Sequence, residues 1–495
     1  MTHQAPADQC LDGQRWDGQR VCVAGLGVSG PPAARALAAR GAKVTVLDSG
    51  DDPARRARAA ELGRFGIDVL LGAAADAAGL PSATSLVVTS PGWRPDAPLL
   101  AAASAVGIPV IGDVELAWRL RPVLPGGTAH SPQTHPSQTQ AWLGVTGTNG
   151  KTTTVKMLAA MLQAAGLRAA AAGNVGTSAV EAVETGSGDG PYQVLAVELS
   201  SFQLHWSSSL RPLAATVLNL AADHIDWHGD LESYARDKGR IYAPGTIAVC
   251  NAEDDWSCRL AAEATGLARV VRFRLGPPGP GELGVSGGHL VDRAFGADDV
   301  LAPVRDVRPA APHNVANALA AAALARAYGV APAAVAAGLR AFEPEPHRIT
   351  LVAEIGGVTY VDDSKATNPH AAAASLAAYP SVVWVAGGML RGEAADIDGL
   401  VAAAAGRLRA AVLLGRDRGL VAQALARHAP DVPVVELAST DTGVMEHVVR
   451  EAASAARSGD TVLLAPAAAS LDIFANYGAR GDAFAAAVRA LAAAS

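Results

Sequence analysis

The run Gly144-Val145-Thr146-Gly147-Thr148-Asn149-Gly150-Lys151-Thr152-Thr153 gathers the residue types that grip phosphate. Glycines let backbone N–H groups turn inward around an anion, the Lys151 ammonium adds a mobile positive charge, and the Thr152 hydroxyl can ligate Mg²⁺. The spacing departs from G-x-x-x-x-G-K-[ST], because position 145 is Val, the first glycine lies one residue earlier and Gly147 is additional. The motif is a P-loop variant. A second glycine loop, Gly25-Leu26-Gly27-Val28-Ser29-Gly30, has Asp48 closing the next apolar run. It suits a dinucleotide or any nucleoside diphosphate, since it offers a tight turn and a helix N-terminus aimed at a pyrophosphate. Glu198 ends the run VLAV in the same unit as the P-loop, so its carboxylate is placed to hold Mg²⁺ directly or through water. Asp223-His224 follows TVLNL, and Lys238 lies in YARDK on an expected helix. His347-Arg348 and Asp362-Asp363-Ser364-Lys365-Ala366-Thr367-Asn368-Pro369 concentrate acceptors, cations and a hydroxyl in a third unit.

These groups need elements to hold them. Short apolar runs at 21–24, 44–47, 86–89 and 108–111 predict strands of a first parallel sheet. Runs at 141–145, 194–197, 216–218 and 247–249 predict a second, with helices at 155–165 and 314–326; runs at 358–361, 382–385, 411–414 and 462–464 predict a third. The Pro/Gly/Ser/Thr/Gln-rich stretch at 122–140 separates the first two units as a linker or insertion. Glu343-Pro344-Glu345-Pro346 separates the last two, because each proline biases its predecessor away from helix. Three α/β units in series fit a chain of 495 residues.

Composition narrows the function. With 40 basic against 47 acidic residues the net charge is −7, which argues against nucleic-acid binding. Arg168, Arg326 and Arg409 interrupt the longest apolar runs, so no membrane span is expected. The polar first twenty residues predict no signal peptide, and Cys10, Cys22, Cys250 and Cys258 form neither CxxC nor zinc spacing. A protein of a reducing cytoplasm is expected. A dinucleotide-dependent oxidoreductase would use the first glycine loop and Asp48 but leaves the P-loop unexplained.

The ordered set GxxGTxGKT, ELSSFQL, DH with a downstream lysine, HNxxNAL, PHR, DDSKATN and Ser470-Leu471-Asp472 resembles the Mur ligase family over nearly the whole chain. ELSSFQL, DSKATN and ASLDIF are most similar to the members that add D-glutamate to UDP-N-acetylmuramoyl-L-alanine (UDP-MurNAc-L-Ala). The resemblance implies an α/β fold of three domains. These are a Rossmann-like UDP-substrate domain at 1–111, a P-loop-type ATPase domain at 112–344 and a Rossmann-like domain at 345–495 that closes on ATP and binds D-glutamate. It also implies a monomeric cytoplasmic ligase of peptidoglycan synthesis that uses ATP and two Mg²⁺ ions.

Residue by residue, the resemblance places ATP on Gly147, Thr148, Asn149, Gly150, Lys151, Thr152, Thr153, Asn314, Asn317, Arg348 and Asp363. It places the metals on Thr152, Glu198, His224 and a carbamylated Lys238, and the catalytic role on Lys151, Glu198, His224 and Lys238. The UDP-substrate falls to Val28, Ser29, Asp48, Ser90, Asn174 and His224, and D-glutamate to Lys365, Thr367, Arg391, Ser470, Leu471 and Tyr477. Gly50 stands where some relatives have an arginine near the uracil, Tyr477 replaces a phenylalanine, and Met389-Leu390 precede Arg391 where Asp or Gly is common.

Overall fold

The computed structural model describes residues 16–124, 139–390, 394–439 and 441–494. Arg391, Cys10 and most of the 122–140 segment lie outside the described residues.

The first sheet contains β1 (Arg20–Ala24), β2 (Lys43–Asp48), β3 (Asp68–Leu71), β4 (Leu86–Thr89) and β5 (Val110–Gly112). All are parallel, in the order β3-β2-β1-β4-β5. Val21 to Ala24 are buried on both faces, which is why β1 reads as an unbroken apolar run. Chain order reverses between β1 and β4, and a crevice outside the carboxyl ends at such a reversal is where open α/β sheets take ligands. The glycine loop leaves β1 there, and Ser90 leaves β4.

The second sheet contains β6 (Ala141–Thr146), β7 (Ala169–Gly173), β8 (Val194–Glu198), β9 (Ala214–Val217), β10 (Ile247–Asn251), β11 (Arg269–Phe273), β12 (Glu282–Ser286), β13 (His289–Asp292) and β14 (Asp299–Pro303). Their order is β14-β13-β12-β11-β10-β9-β6-β8-β7, with β13 antiparallel to both its neighbours. The ends of β6, β7, β8 and β9 are in register, so Thr146, Gly173, Glu198 and Val217 deliver their following loops to one edge.

The third sheet contains β15 (Thr350–Ile355), β16 (Val358–Asp362), β17 (Val382–Ala386), β18 (Leu408–Leu413), β19 (Val434–Glu436) and β20 (Thr461–Leu464), in the order β15-β16-β20-β17-β18-β19. Only β15 is antiparallel. The loops after β16, β20 and β17 carry DDSKATN, the Ser470 segment and the approach to Arg391.

Several expected bounds shift. The helix expected at 155–165 spans Lys151–Ala164, because left-handed Gly150 ends the loop and the helix starts at the lysine itself. The strands expected at 108–111, 216–218 and 411–414 are β5, β9 and β18, displaced by up to three residues. Strands β3, β7, β11 to β15 and β19 were not expected. Four alanines and a glycine make β7, and small residues carry little strand signal. The helix Pro312–Ala327 is apolar all round because it is buried all round, in the core beneath the P-loop helix.

The P-loop helix is held from behind by the helix Pro332–Ala341, where a Cβ on Gly338 would lie 2.4 Å from the Met161 Cα. Such an approach tolerates only glycine without backbone movement. Gly338→Ala is expected to cost about 2 kcal/mol in urea unfolding; an unchanged midpoint would contradict this close contact.

Candidate active site

Gly147 and Gly150 have φ of +147° and +85°, backbone regions that β-carbons disfavour. A side chain at Gly150 would also collide with Asn317, whose Oδ1 lies 2.3 Å from the position of the missing Cβ. Lys151 Nζ donates to the carbonyls of Gly147 and Thr148 at 2.8 and 2.9 Å. Burial lowers its pKa, the charges of Glu198 and Asp223 oppose that, and nearby Arg348 and Lys365 reinforce it. Three cations from two sheets thus face one place, which suits a polyanion.

Glu198 is 2% exposed at the end of β8. Its Oε1 accepts from Asn174 Nδ2 at 3.1 Å, whereas the buried Oε2 has no hydrogen-bond partner among the described residues. An unpartnered buried carboxylate oxygen fits a group that brings positive charge. Lys238, 1% exposed on the helix Leu231–Gly239, donates from Nζ to Gly147 O at 2.8 Å and lies 4.6 Å over the Tyr234 ring. Burial, and then the Lys151 charge, pull its pKa well below the usual lysine value, with Asp223 and Glu198 opposing. His224 has a left-handed φ of +55° at the start of Ile225–His228, and its ring centroid lies 4.9 Å from that of Phe202. Among the described residues no three His, Cys, Asp or Glu side chains cluster at metal-holding distance.

A cavity of about 400 Å³ opens between the second and third sheets. Gly150, Asn314 and Asn317 line it on one side, and Arg348, Asp363 and His370 on the other. Asn314 Nδ2 donates to the carbonyls of Arg308 and Pro309, both at 3.0 Å, and Asn317 Nδ2 donates to Asn314 Oδ1 at 3.4 Å. Asn149 spans the gap: its Oδ1 accepts from Asn368 Nδ2 at 3.2 Å and its Nδ2 meets His370 Nδ1 at 3.0 Å. An ion pair from Lys156 to Glu345 runs alongside.

Arg348 sits between two residues with left-handed φ, His347 at 61° and Ile349 at 47°. Such strain persists only where surroundings impose it. Here Asp362 Oδ2 holds His347 Nδ1 at 2.6 Å, and Asp363 Oδ1 accepts the Ile349 N–H at 3.3 Å. Lys365 Nζ lies 3.7 Å over the Tyr477 ring. Ser470 is buried, and Leu471 is 59% exposed. Met389 and Ala469 exchange two backbone hydrogen bonds of 2.8 Å, which ties the approach to Arg391 to the Ser470 loop.

In the first sheet Asp48 Oδ2 accepts the Leu26 N–H at 2.7 Å, so the acidic residue shapes the glycine loop. Val28 is 78% exposed, and the buried Ser90 Oγ has no partner among the described residues. Beside Gly50 lies Arg55, whose Nε would meet a Cβ there at 2.5 Å and which donates to Asp48 Oδ1 at 2.9 Å. An arginine therefore does stand at this corner, supplied from five residues further along.

The structure brings Lys151, Glu198, Asn174 and Lys238 into direct or charge contact, and Asn149, Gly150, Thr153, Asn314, Asn317, Arg348, Asp363 and Lys365 around one cavity. Thr152, Thr367 and Leu471 are not among that cavity's lining. Asn219, which exchanges hydrogen bonds with Asn149, was missed although it stands within the quoted TVLNL. Arg480 was missed too. It is 1% exposed and donates to Ser364 Oγ and O and to Ala468 O, joining the loops after β16 and β20.

This is the class of a three-sheet α/β nucleotide-binding protein whose P-loop faces a cavity completed by its last sheet. Models of the Mur ligase family match in the same order. They are the MurD-like N-terminal domain over residues 19–112, the middle domain over 145–325 and the glutamate ligase domain over 347–468. The UDP-N-acetylmuramoylalanine--D-glutamate ligase of Streptomyces avermitilis is 59% identical, covering 97% of this chain and 99% of its own. That of Thermobifida fusca is also 59% identical, covering 96% and 99%. A pseudomurein peptide ligase type C from Methanothermus fervidus shares the fold at a TM-score of 0.55 and 17% identity, covering 96% and 100%. The chain belongs to the Mur ligase family.

Burial pushes the Asp363 carboxyl up to about 6, against the Ser375 hydrogen bond and the Arg348 charge. The folded protein therefore holds a proton that the unfolded chain releases near pH 4, and the stability linked to that proton is lost as pH rises to about 6. The unfolding free energy of the wild type relative to Asp363→Asn is expected to fall by about 3 kcal/mol over that window. A constant difference would remove the buried acid from the account.

Proposed function

We propose that this chain is an ATP-dependent ligase that joins D-glutamate to UDP-MurNAc-L-Ala in the cytoplasm, a step of peptidoglycan synthesis. The observation that carries this is 59% identity over 97% of the chain to an enzyme named for that reaction. No helix among the described residues is long and apolar enough to cross a membrane. We take a monomer as the acting unit. We divide it at 1–111, 112–344 and 345–495, for the UDP-substrate, for ATP, and for closure with D-glutamate.

A carboxylate resists amines because its leaving group would be oxide. In the proposed reaction an oxygen of the L-alanyl carboxylate attacks the γ-phosphorus of ATP, ADP departs, and the acyl phosphate forms. The D-glutamate amine then attacks the acyl carbon, and the bridging oxygen leaves with phosphate. Lys151, Arg348 and the P-loop N–H groups neutralise charge on the phosphates, which is the dominant need in phosphoryl transfer. Asn314 and Asn317 take the adenine side. Asn174, fixed by Glu198, faces the reacting end of the UDP-substrate. The glycine-loop N-terminus with Val28, Ser29, Asp48 and Ser90 holds the diphosphate and uridine, with Arg55 as the nearby cation. Lys365, Thr367, Ser470, Leu471, Tyr477 and Arg391 receive D-glutamate.

Two Mg²⁺ ions would be held by Thr152, Glu198, His224 and Lys238, supplying charge stabilisation on the transferring phosphoryl group. The unpartnered Glu198 Oε2 supports that fit. Lys238 fits as its carbamate: burial favours a neutral amine, whose nitrogen attacks CO₂ and loses a proton to leave an anionic oxygen donor.

Phosphate release should require ATP, Mg²⁺, UDP-MurNAc-L-Ala and D-glutamate together. Release that persists with L-alanine or a diamino acid in place of D-glutamate would redirect the assignment. ¹⁸O on the alanyl carboxylate should appear in the liberated phosphate, and its absence would exclude the acyl phosphate. Lys238→Ala is expected to lower turnover about 100-fold or more, unrelieved by bicarbonate, in steady-state assays. Arg391→Ala should raise the KM for D-glutamate more than that for ATP; equal changes would take Arg391 out of the amino-acid site.

A further inference from the structure

Behind the proposed metal donors runs a chain of buried polar groups that the reaction does not use. Ser201 Oγ lies 2.9 Å from His228 Nε2, and His228 Nδ1 lies 3.1 Å from Asp237 Oδ2. The same carboxylate oxygen receives His205 Nδ1 at 2.9 Å, and Asp237 Oδ1 pairs with Arg240 Nε at 3.1 Å. The His228 side chain is fully buried, with Phe202, Trp227 and Tyr234 around its ring at centroid separations of 5.5, 4.5 and 5.2 Å. A carboxylate only accepts, so His228 Nδ1–H donates to Asp237, and Nε2 is left to pair with the Ser201 hydroxyl.

The arrangement looks like the serine–histidine–aspartate order of a hydrolase, but Ser201 is buried at the start of its helix and does not line the cavity between the second and third sheets. Its placement along the chain says more. Ser201 stands three residues after Glu198, His228 four after His224, and Asp237 one before Lys238. Each member of the chain is thus anchored on the segment of one donor. Phe202 adds a second link, stacked on His228 and in contact with His224.

We infer that His228 is a positioning residue that, through Ser201 and Asp237, sets the spacing of Glu198, His224 and Lys238 for a divalent cation. This rests on the metal-site reading given above. Ligand-orienting partners of this kind are worth about 10–100-fold in metal affinity. The chain supplies it through backbone: a shift of the serine helix moves the end of β8, and a shift of the aspartate helix moves Lys238.

The test titrates Mn²⁺ into the full-length protein with adenylyl imidodiphosphate, read by electron paramagnetic resonance, and records the carbamate carbon in ¹³C-bicarbonate by NMR. His228→Ala is expected to weaken Mn²⁺ about tenfold and to reduce the carbamate signal, with the UDP-substrate affinity unchanged. Ser201→Ala, a milder change, should give a smaller loss. The double variant should bind no worse than His228→Ala, because one chain is broken once. Should His228→Ala not fold, Ser201→Ala and Asp237→Asn carry the test. Wild-type Mn²⁺ affinity in all foldable variants, or additive losses, would overturn the inference while leaving the metal site standing. A wild-type protein that binds no Mn²⁺ and shows no carbamate would overturn both.

Discussion

One carbonyl oxygen receives two lysines. Gly147 O accepts from Lys151 Nζ and from Lys238 Nζ, each at 2.8 Å, and Lys238 is 1% exposed. Two full positive charges that close, out of water, repel with little to screen them. Relief comes from neutralising one amine, and burial with the Lys151 charge puts the greater pressure on Lys238. Under the proposed function, the P-loop lysine stays charged for phosphate while its neighbour is the amine that takes up CO₂. Glu198 and Asp223 supply negative charge to both lysines, whereas Arg348 and Lys365 bring positive charge that presses on Lys151 alone.

The three sheets meet this demand by the same device. Each lets chain order reverse, and the loops that leave the carboxyl ends at the reversal carry the polar groups. In the second sheet the register of β6, β8 and β9 puts the P-loop, Glu198 and the loop to His224 at one edge. In the third, DDSKATN and the Ser470 segment leave β16 and β20 side by side, and buried Arg480 ties them together with three hydrogen bonds to Ser364 and Ala468. The cavity walls come from two sheets, and Asn149, reaching Asn368 and His370, joins them together with the Lys156–Glu345 ion pair.

Legibility in the sequence followed burial and chemistry. Strands flanked by parallel neighbours on both sides, such as β1, β8 and β17, are continuous apolar runs and were read nearly to the residue. Edge and antiparallel strands are short, polar at their ends or built from alanine, and β7, β13 and β14 left no comparable trace. Among site residues, those in glycine-rich or charged motifs declared themselves. Asn219, Arg55 and Arg480 did not, because an isolated asparagine or arginine has no local pattern; only the fold shows what it touches. Lys238 is the intermediate case. Its helix was legible, but by itself it read as an exposed lysine, and only similarity to a family put it among metal donors.

The burial of Lys238 also explains why its supports must be polar. The helix that bears it is anchored through its own Asp237, which takes hydrogen bonds from His205 and His228 and pairs with Arg240 on the same helix end. An apolar contact would permit the helix to slide, since hydrophobic packing is not directional. Hydrogen bonds to a buried carboxylate fix direction as well as distance, and losing one leaves a buried charge less fully paired. The buried lysine and the carboxylate that anchors it are therefore adjacent on one helix. Residue 238 meets the nucleotide loop, and residue 237 meets the histidines.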